Sequence, residues 1–257
     1  MVKNPFWLKF SLIFILIFLY LPIAVVIFMS FNASDAPFTW SGFSTKWYVE
    51  LINSPDIILG FKNTVIVALI TTILATTLGT LLAVGITRFQ RSTTIEAIAL
   101  MPAIFPDLAL AIGLLILFNL LYLPLGLHSV IISHALFCAA FVTAIVRARL
   151  LQVDPALEQA AEDLGDSAVG RFFRITLPTL KPAIIAGALL SFTLSIDEFV
   201  IAFFTNGPTS PTLPIVIYSM VRFGVSPEVN ALASVVLVVS ATIVILAQRN
   251  VKVKDQI

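Results

Sequence analysis

"DPALEQAAEDLGDSAVGRFFRITLPTLKPAI", residues 154–184, is a polar island between two long apolar runs. Its residues spell out a short helix, a break and a second short helix. Asp154 is placed to cap the first helix with Pro155 in its first turn, Gly165 ends it, and Asp166 or Ser167 starts the next. Pro178 and Pro182 are expected to close the segment before the apolar sequence resumes. Ala160 and Ala161 are small enough to let another surface approach the helix backbone, while Glu158, Glu162 and Asp163 surround them with charge.

What flanks this island sets the fold class. The chain has 257 residues, 59% apolar and only 11% charged, the composition of a membrane protein. A bilayer core of about 30 Å takes about 20 apolar helical residues to cross. Runs of that order fall at about 8–31, 61–87, 97–121, 128–147, 182–204 and 230–247. None alternates in hydropathy as a barrel strand does, so the expectation is an all-α, polytopic membrane protein with six transmembrane helices. The first run is too long for a secretory leader and reads as an uncleaved span.

Basic residues give an orientation. Lys3, Lys9, Arg88, Arg91, Arg147, Arg149, Arg171, Arg174, Lys181, Arg249, Lys252 and Lys254 fall on one side of the six runs, and only Lys46, Lys62 and Arg222 on the other. By the positive-inside rule both termini and the 150–181 loop are cytoplasmic. On the outer side, segment 32–60 carries Trp40, Trp47 and Tyr48, rings suited to the membrane interface, and 205–229 holds an apolar "IVIYSMVRF" among prolines, read as a short interfacial helix. The chain is expected to be a single membrane domain, 1–257, without internal repeats.

Charge inside the spans is the exception that needs a reason. "LLSFTLSIDEFVIAFF", residues 189–204, carries Asp197 and Glu198 side by side in what reads as one continuous fifth span. An acid at the centre of a spanning helix costs about 2.5–3.5 kcal/mol on insertion scales. Asp107 lies in the third span just after Pro102 and Pro106, which are expected to kink it and free carbonyls nearby. Counted along their helices, Asp107 and Asp197 fall about 15 Å and about 22 Å from the cytoplasmic ends, able to line one cavity at staggered depths. Adjacent helical residues point about 100° apart, so Asp197 is assigned to a passage and Glu198 to a neighbouring helix or subunit.

No Lys or Arg falls at that depth, so the counter-charge is a proton or an arriving cation. A flexible chain of ammonium groups supplies such charge, and Phe192, Phe199, Phe203, Phe204 and Tyr218 can add cation–π attraction. His134, in the fourth span, can hydrogen-bond one of the carboxylates. Cys138 is the only cysteine and sits in an apolar run, which leaves neither a disulfide framework nor a zinc-ligand spacing.

The loop also has a specific likeness. Ala160-Ala161, Gly165 after three residues, and Ile175, Leu177 and Pro178 after nine more resemble the cytoplasmic signature of ABC importer permeases. In that family the loop forms the coupling helix that docks on an ATPase subunit, a role the resemblance assigns to Glu158, Gln159, Ala160, Ala161, Gly165, Ile175, Leu177 and Pro178. Gln159 departs from the family's usual glutamate before the two alanines, with Glu158 one position earlier, so a salt bridge at that glutamate does not carry over. "SFTLSIDEFVIAFFTNGP", "IYSMVRFGVSPEVNALAS", "GFSTKWY" and "FPDLALAI" are similar to permeases of polyamine importers within the family.

That resemblance implies a complex in a bacterial inner membrane: this chain, a second permease, a homodimeric ATPase and a substrate-binding protein, moving spermidine or putrescine inward by alternating access. Asp107, Asp197, Glu198, Tyr218 and His134 are the implied pathway residues. The chain has no phosphate-binding G-x-x-x-x-G-K-[ST] loop, so no cofactor is expected on it, and ATP and Mg belong to the partner ATPase. The acids alone leave two alternatives open, an ABC permease for another cationic or metal-bound solute and an ion-coupled secondary transporter.

Overall fold

A computed structural model of the chain describes residues 6–36, 39–89, 92–222, 224 and 226–252, with side chains described from 7 to 242. Of the basic residues used for orientation, Lys3, Arg91 and Lys254 lie outside the described residues, as do the side chains of Arg249 and Lys252. The described elements are α-helices: α1 (Phe6–Met29), α2 (Lys46–Asn53), α3 (Pro55–Val84), α4 (Thr93–Ile104), α5 (Asp107–Leu120), α6 (Leu127–Leu150), α7 (Ala156–Asp163), α8 (Ala168–Arg171), α9 (Leu177–Asp197), α10 (Val200–Thr205), α11 (Leu213–Arg222) and α12 (Pro227–Lys252). A π turn, Gly85–Phe89, extends α3, and another, Phe172–Thr176, joins α8 to α9.

Four uninterrupted helical stretches are long and apolar enough to cross a membrane: 7–29, 55–89, 127–150 and 168–197. The third expected span is instead the pair α4 and α5, bent by 105° at Phe105–Pro106. α12 has 26 residues, about 39 Å at the α-helical rise. With the bent pair taken as one, five candidate spans are found among the described residues, and each of the six expected apolar runs overlaps one of them or α12.

The chain divides into two units, residues 1–58 with 216–250 and residues 59–215 with 251–257. In the first, the segment after α1 is built around Asn32, whose side chain accepts from Ser34 N (3.2 Å) and Ser41 N (3.0 Å) and donates to Thr39 O (2.8 Å). Trp47 Nε1 donates to Asn32 O at 2.8 Å, Tyr48 shares a 2.6 Å hydrogen bond with Ser30, and Trp40 stacks on Phe28 at 4.5 Å. Trp47 is buried, so its ring serves packing rather than the interfacial anchoring expected of it.

The second unit is organised on α6, the most buried of the candidate spans. Val142 faces a glycine on each side. A Cβ at Gly79 of α3 would lie 2.7 Å from Val142 Cβ and 2.8 Å from Ala139 O, and one at Gly187 of α9 would lie 3.3 Å from Val142 Cγ1. Small residues let helix backbones approach closely where lipid supplies no hydrophobic drive between helices. Thr143 Oγ1 reinforces the α3 contact, donating to Gly79 O at 3.3 Å. α4, α9 and α10 also pack on α6, and α10 packs on α5.

Two expectations are corrected. Neither Pro178 nor Pro182 closes a loop: α8, the π turn and α9 form one continuous helix from Ala168 to Asp197, with both prolines inside it. Proline is tolerated in spanning helices because local adjustments and neighbouring groups re-satisfy the freed carbonyl. Nor does the fifth span run unbroken to residue 204, since α9 ends at Asp197 and α10 begins at Val200.

Candidate functional site

The break between α9 and α10 centres on Glu198. Glu198 leaves the helical region with ψ 111°, and its Oε1 accepts from Ile201 N at 2.9 Å. A side-chain acceptor there satisfies one of the donors that a helix start leaves free, and a negative charge is favoured at that end of the dipole. Asp197 and Glu198 therefore stand on either side of a break, and the 100° separation expected for helical neighbours does not apply. Asp197 is the last residue of α9 and is exposed, at the negative end of that helix's dipole.

The second break has the same form. Phe105 N caps α4 on Met101 O at 3.0 Å, Pro106 turns the chain with φ −58°, and Asp107 opens α5 as its first-turn acid. α10 packs on α5, and the Asp107 carboxylate is within Coulombic reach of Glu198. Asp107 is exposed and Glu198 half-buried. Each break sets an acid beside the carbonyl-bearing C-terminal end of a helix, α4 or α9, a combination suited to a cation in a low-dielectric passage. None of the salt bridges among the described residues includes Asp107, Asp197 or Glu198. Beside Glu198, Phe199, Phe203 and Phe204 form a ring cluster with centroids 5.4 and 5.5 Å apart.

His134 is buried and pairs through Nδ1 with Ser195 Oγ at 2.9 Å, so its partner is a hydroxyl on α9 rather than a carboxylate. Its Nε2 is buried without a hydrogen-bond partner among the described residues. Cys138 Sγ reaches Ser191 O at 3.7 Å, one turn along the same seam. Tyr218 lies on α11, in the 1–58 and 216–250 unit, and is 41% exposed. Ser195 was not singled out from sequence; its spacing of four from Ser191, facing the spacing of four from His134 to Cys138, is the pattern that marks the seam.

From Asp154 to Ser167 the loop folds as its local signals predict. Asp154 Oδ1 accepts from Ala156 N at 2.9 Å to start α7, and Gly165 ends it with φ +84°, a conformation that favours glycine. Ser167 Oγ then accepts from Gly170 N at 3.1 Å to start α8. Glu158 is held by Arg88 (3.2 Å) and Thr176 Oγ1 (2.9 Å), Glu162 by Arg171 (3.3 Å), and Asp166 by Arg174. A Cβ at Gly170 would collide with the Asp166 carboxylate, so that glycine makes room for the last pair.

The opposite face of α7 is open. Leu157 and Leu164 are 53% and 89% exposed, Gln159 and Ala160 are exposed, and Ala161 is half-buried. A groove of about 380 Å³ lies alongside, lined by Ala161, Leu164, Gly165, Asp166 and Arg174. Ile175 and Leu177 are half-buried, and Pro178 sits exposed at the second position of α9. The ion pairs of Glu158 and Asp166 were not foreseen, because Arg88 is distant in sequence and Arg174 falls on what reads as a separate short helix.

Residues 75–253 match the family described as "Binding-protein-dependent transport system inner membrane component". The chain belongs to this family, and is a multi-pass membrane protein. Among its relatives, the spermidine/putrescine transport system permease protein PotC of Escherichia coli (strain K12) is 42% identical over 90% of this chain and 88% of that protein. The putrescine transport system permease protein PotI of the same strain is 38% identical over 92% and 87%. PotC of Haemophilus influenzae is 36% identical over 95% and 96%. Among solved structures, a chain of a bacterial ABC transporter importing the acidic polysaccharide alginate superposes with TM-score 0.77 over 96% of this chain and 95% of that one, at 20% identity. At that identity the likeness establishes the fold, that of an ABC importer permease.

Proposed function

We propose that this chain is the transmembrane permease subunit of an ATP-driven importer that passes polyamines, spermidine and putrescine, into the cytoplasm by alternating access. The observation that carries the reading is the gathering of Asp107 and Glu198, with Asp197 on the far side of the same break, without a basic partner among the described residues. An ion inside a membrane protein is tolerated when a counter-charge meets it. A polyamine brings several ammonium groups spaced by methylenes, matching carboxylates at separate positions, open carbonyls and neighbouring aromatic rings. The similarity to PotC and PotI extends over nearly the whole chain and supports the same substrate class.

In this reading the 150–181 loop is cytoplasmic and both termini lie on that side. The exposed face of α7 docks on a separate homodimeric ATPase, which binds ATP and Mg. A second permease completes the passage, a substrate-binding protein delivers the polyamine from outside, and residues 1–257 act as one permease domain. Asp107, Asp197 and Glu198 meet the substrate, and His134 positions α9 through Ser195.

The test is uptake into vesicles holding the assembled complex with loaded binding protein. Spermidine entry is expected to require ATP and to be indifferent to a collapsed proton gradient. Entry driven by a gradient without ATP would contradict the proposal and favour an ion-coupled carrier.

A further inference from the structure

Resting on the importer reading, we infer that Glu158 is the joint through which movement of α7 reaches two spans at once. One oxygen, Glu158 Oε1, accepts from both Arg88 Nη2 at 3.2 Å and Thr176 Oγ1 at 2.9 Å. Arg88 belongs to the π turn Gly85–Phe89 that ends the helix of α3, and Thr176 is the last residue of the π turn Phe172–Thr176 that leads into α9. Both anchors therefore sit on irregular turns, one at the C-terminal end of α3 and the other at the N-terminal start of α9. π turns leave the helical ladder locally loose and occur often at functional places.

The other ion pair of α7 is built differently. Glu162, which meets Arg171, is 64% exposed, whereas the Glu158 and Arg88 side chains are 22% and 16% exposed. A half-buried, charge-assisted contact transmits displacement where a solvated one gives way. Arg88 also has room to travel. It lines a cavity of about 420 Å³ together with Thr87, Ser92, Glu96, Arg147 and Pro155. Across that cavity Arg147 pairs with Glu96 at 2.6 Å, tying α6 to α4. Glu158 thus occupies the position next to Gln159 but faces inward, so that coupling runs through this chain's own arginine.

Glu158 is a positioning residue, and its signature is the spermidine imported per ATP hydrolysed by the complete importer in vesicles. Glu158→Ala is expected to lower that ratio about tenfold while hydrolysis continues, as loss of a partly buried charged contact implies. Glu158→Gln keeps an acceptor for Thr176 without the charge and should fall in between. The exchange Glu158→Arg with Arg88→Glu should restore much of the ratio. An unchanged ratio in Glu158→Ala overturns the inference. So does equal loss of hydrolysis and uptake that the exchange fails to rescue, which would mark a merely structural residue. Wild-type vesicles without any ATP-dependent uptake would instead overturn the importer reading, and this inference with it.

Discussion

Acids are treated in opposite ways in two regions of the molecule. In the 150–181 loop, Glu158, Glu162 and Asp166 each meet an arginine of the same chain. At the helix breaks, where an unpaired charge costs more, Asp107, Asp197 and Glu198 meet none among the described residues. Three of the loop's acids are thus matched by arginine within the chain; the acids at the breaks are not. A sequence that supplies arginine where water already softens the charge and withholds it where lipid does not is organised around a visitor.

Glu198→Ala is expected to weaken this contrast most. It removes both a helix cap and a pathway charge, and spermidine uptake by the assembled complex should fall about fiftyfold. Glu198→Gln sharpens the point, since the amide still accepts from Ile201 N; uptake should fall while thermal stability stays near wild type.

Next in size is Gly207→Ala, which asks whether the membrane region rests on close backbone approach rather than on charge. A Cβ there would strike Leu125 O and lie 2.9 Å from Gly126 Cα, backbone that cannot swing aside. A loss of about 1–3 kcal/mol is expected, read as a lower melting temperature in detergent.

In the loop, Gly165→Val places a β-branched residue at φ +84°. It should cost about 1–2 kcal/mol in the turn that ends α7 and lower polyamine-stimulated ATP hydrolysis through misplaced docking. The smallest effect belongs to Glu162→Gln, whose exposed bridge to Arg171 should contribute less than about 1 kcal/mol, so that uptake and melting temperature remain close to wild type.

Much of this was legible in the sequence because the signals are local. Asp154, Gly165 and Ser167 act on backbone groups within three residues, and the loop folds as they direct. The apolar runs marked the spans because bilayer thickness fixes their length. Pro102 and Pro106 announced a disturbance in the third span, although its 105° turn exceeds a kink.

The break at Glu198 was hidden because neither glycine nor proline marks it; the chain is turned by a side chain accepting from Ile201 N, which an apolar sequence pattern does not display. The partners of Glu158 were hidden for another reason, since Arg88 lies 70 residues away and only packing brings it there. At the break, the acids were legible as an anomaly, while the gathering of Asp107 with Glu198 required the packing of α10 on α5.

The central claim is that the acids at the breaks are met by the cation being carried. It is tested most directly by spermidine uptake through the assembled importer bearing Asp107→Asn, Asp197→Asn and Glu198→Gln together. Complex assembly and ATP binding should persist while uptake falls at least about a hundredfold, the loss expected when several charged contacts to one ligand are removed. Uptake at the wild-type rate would contradict the account.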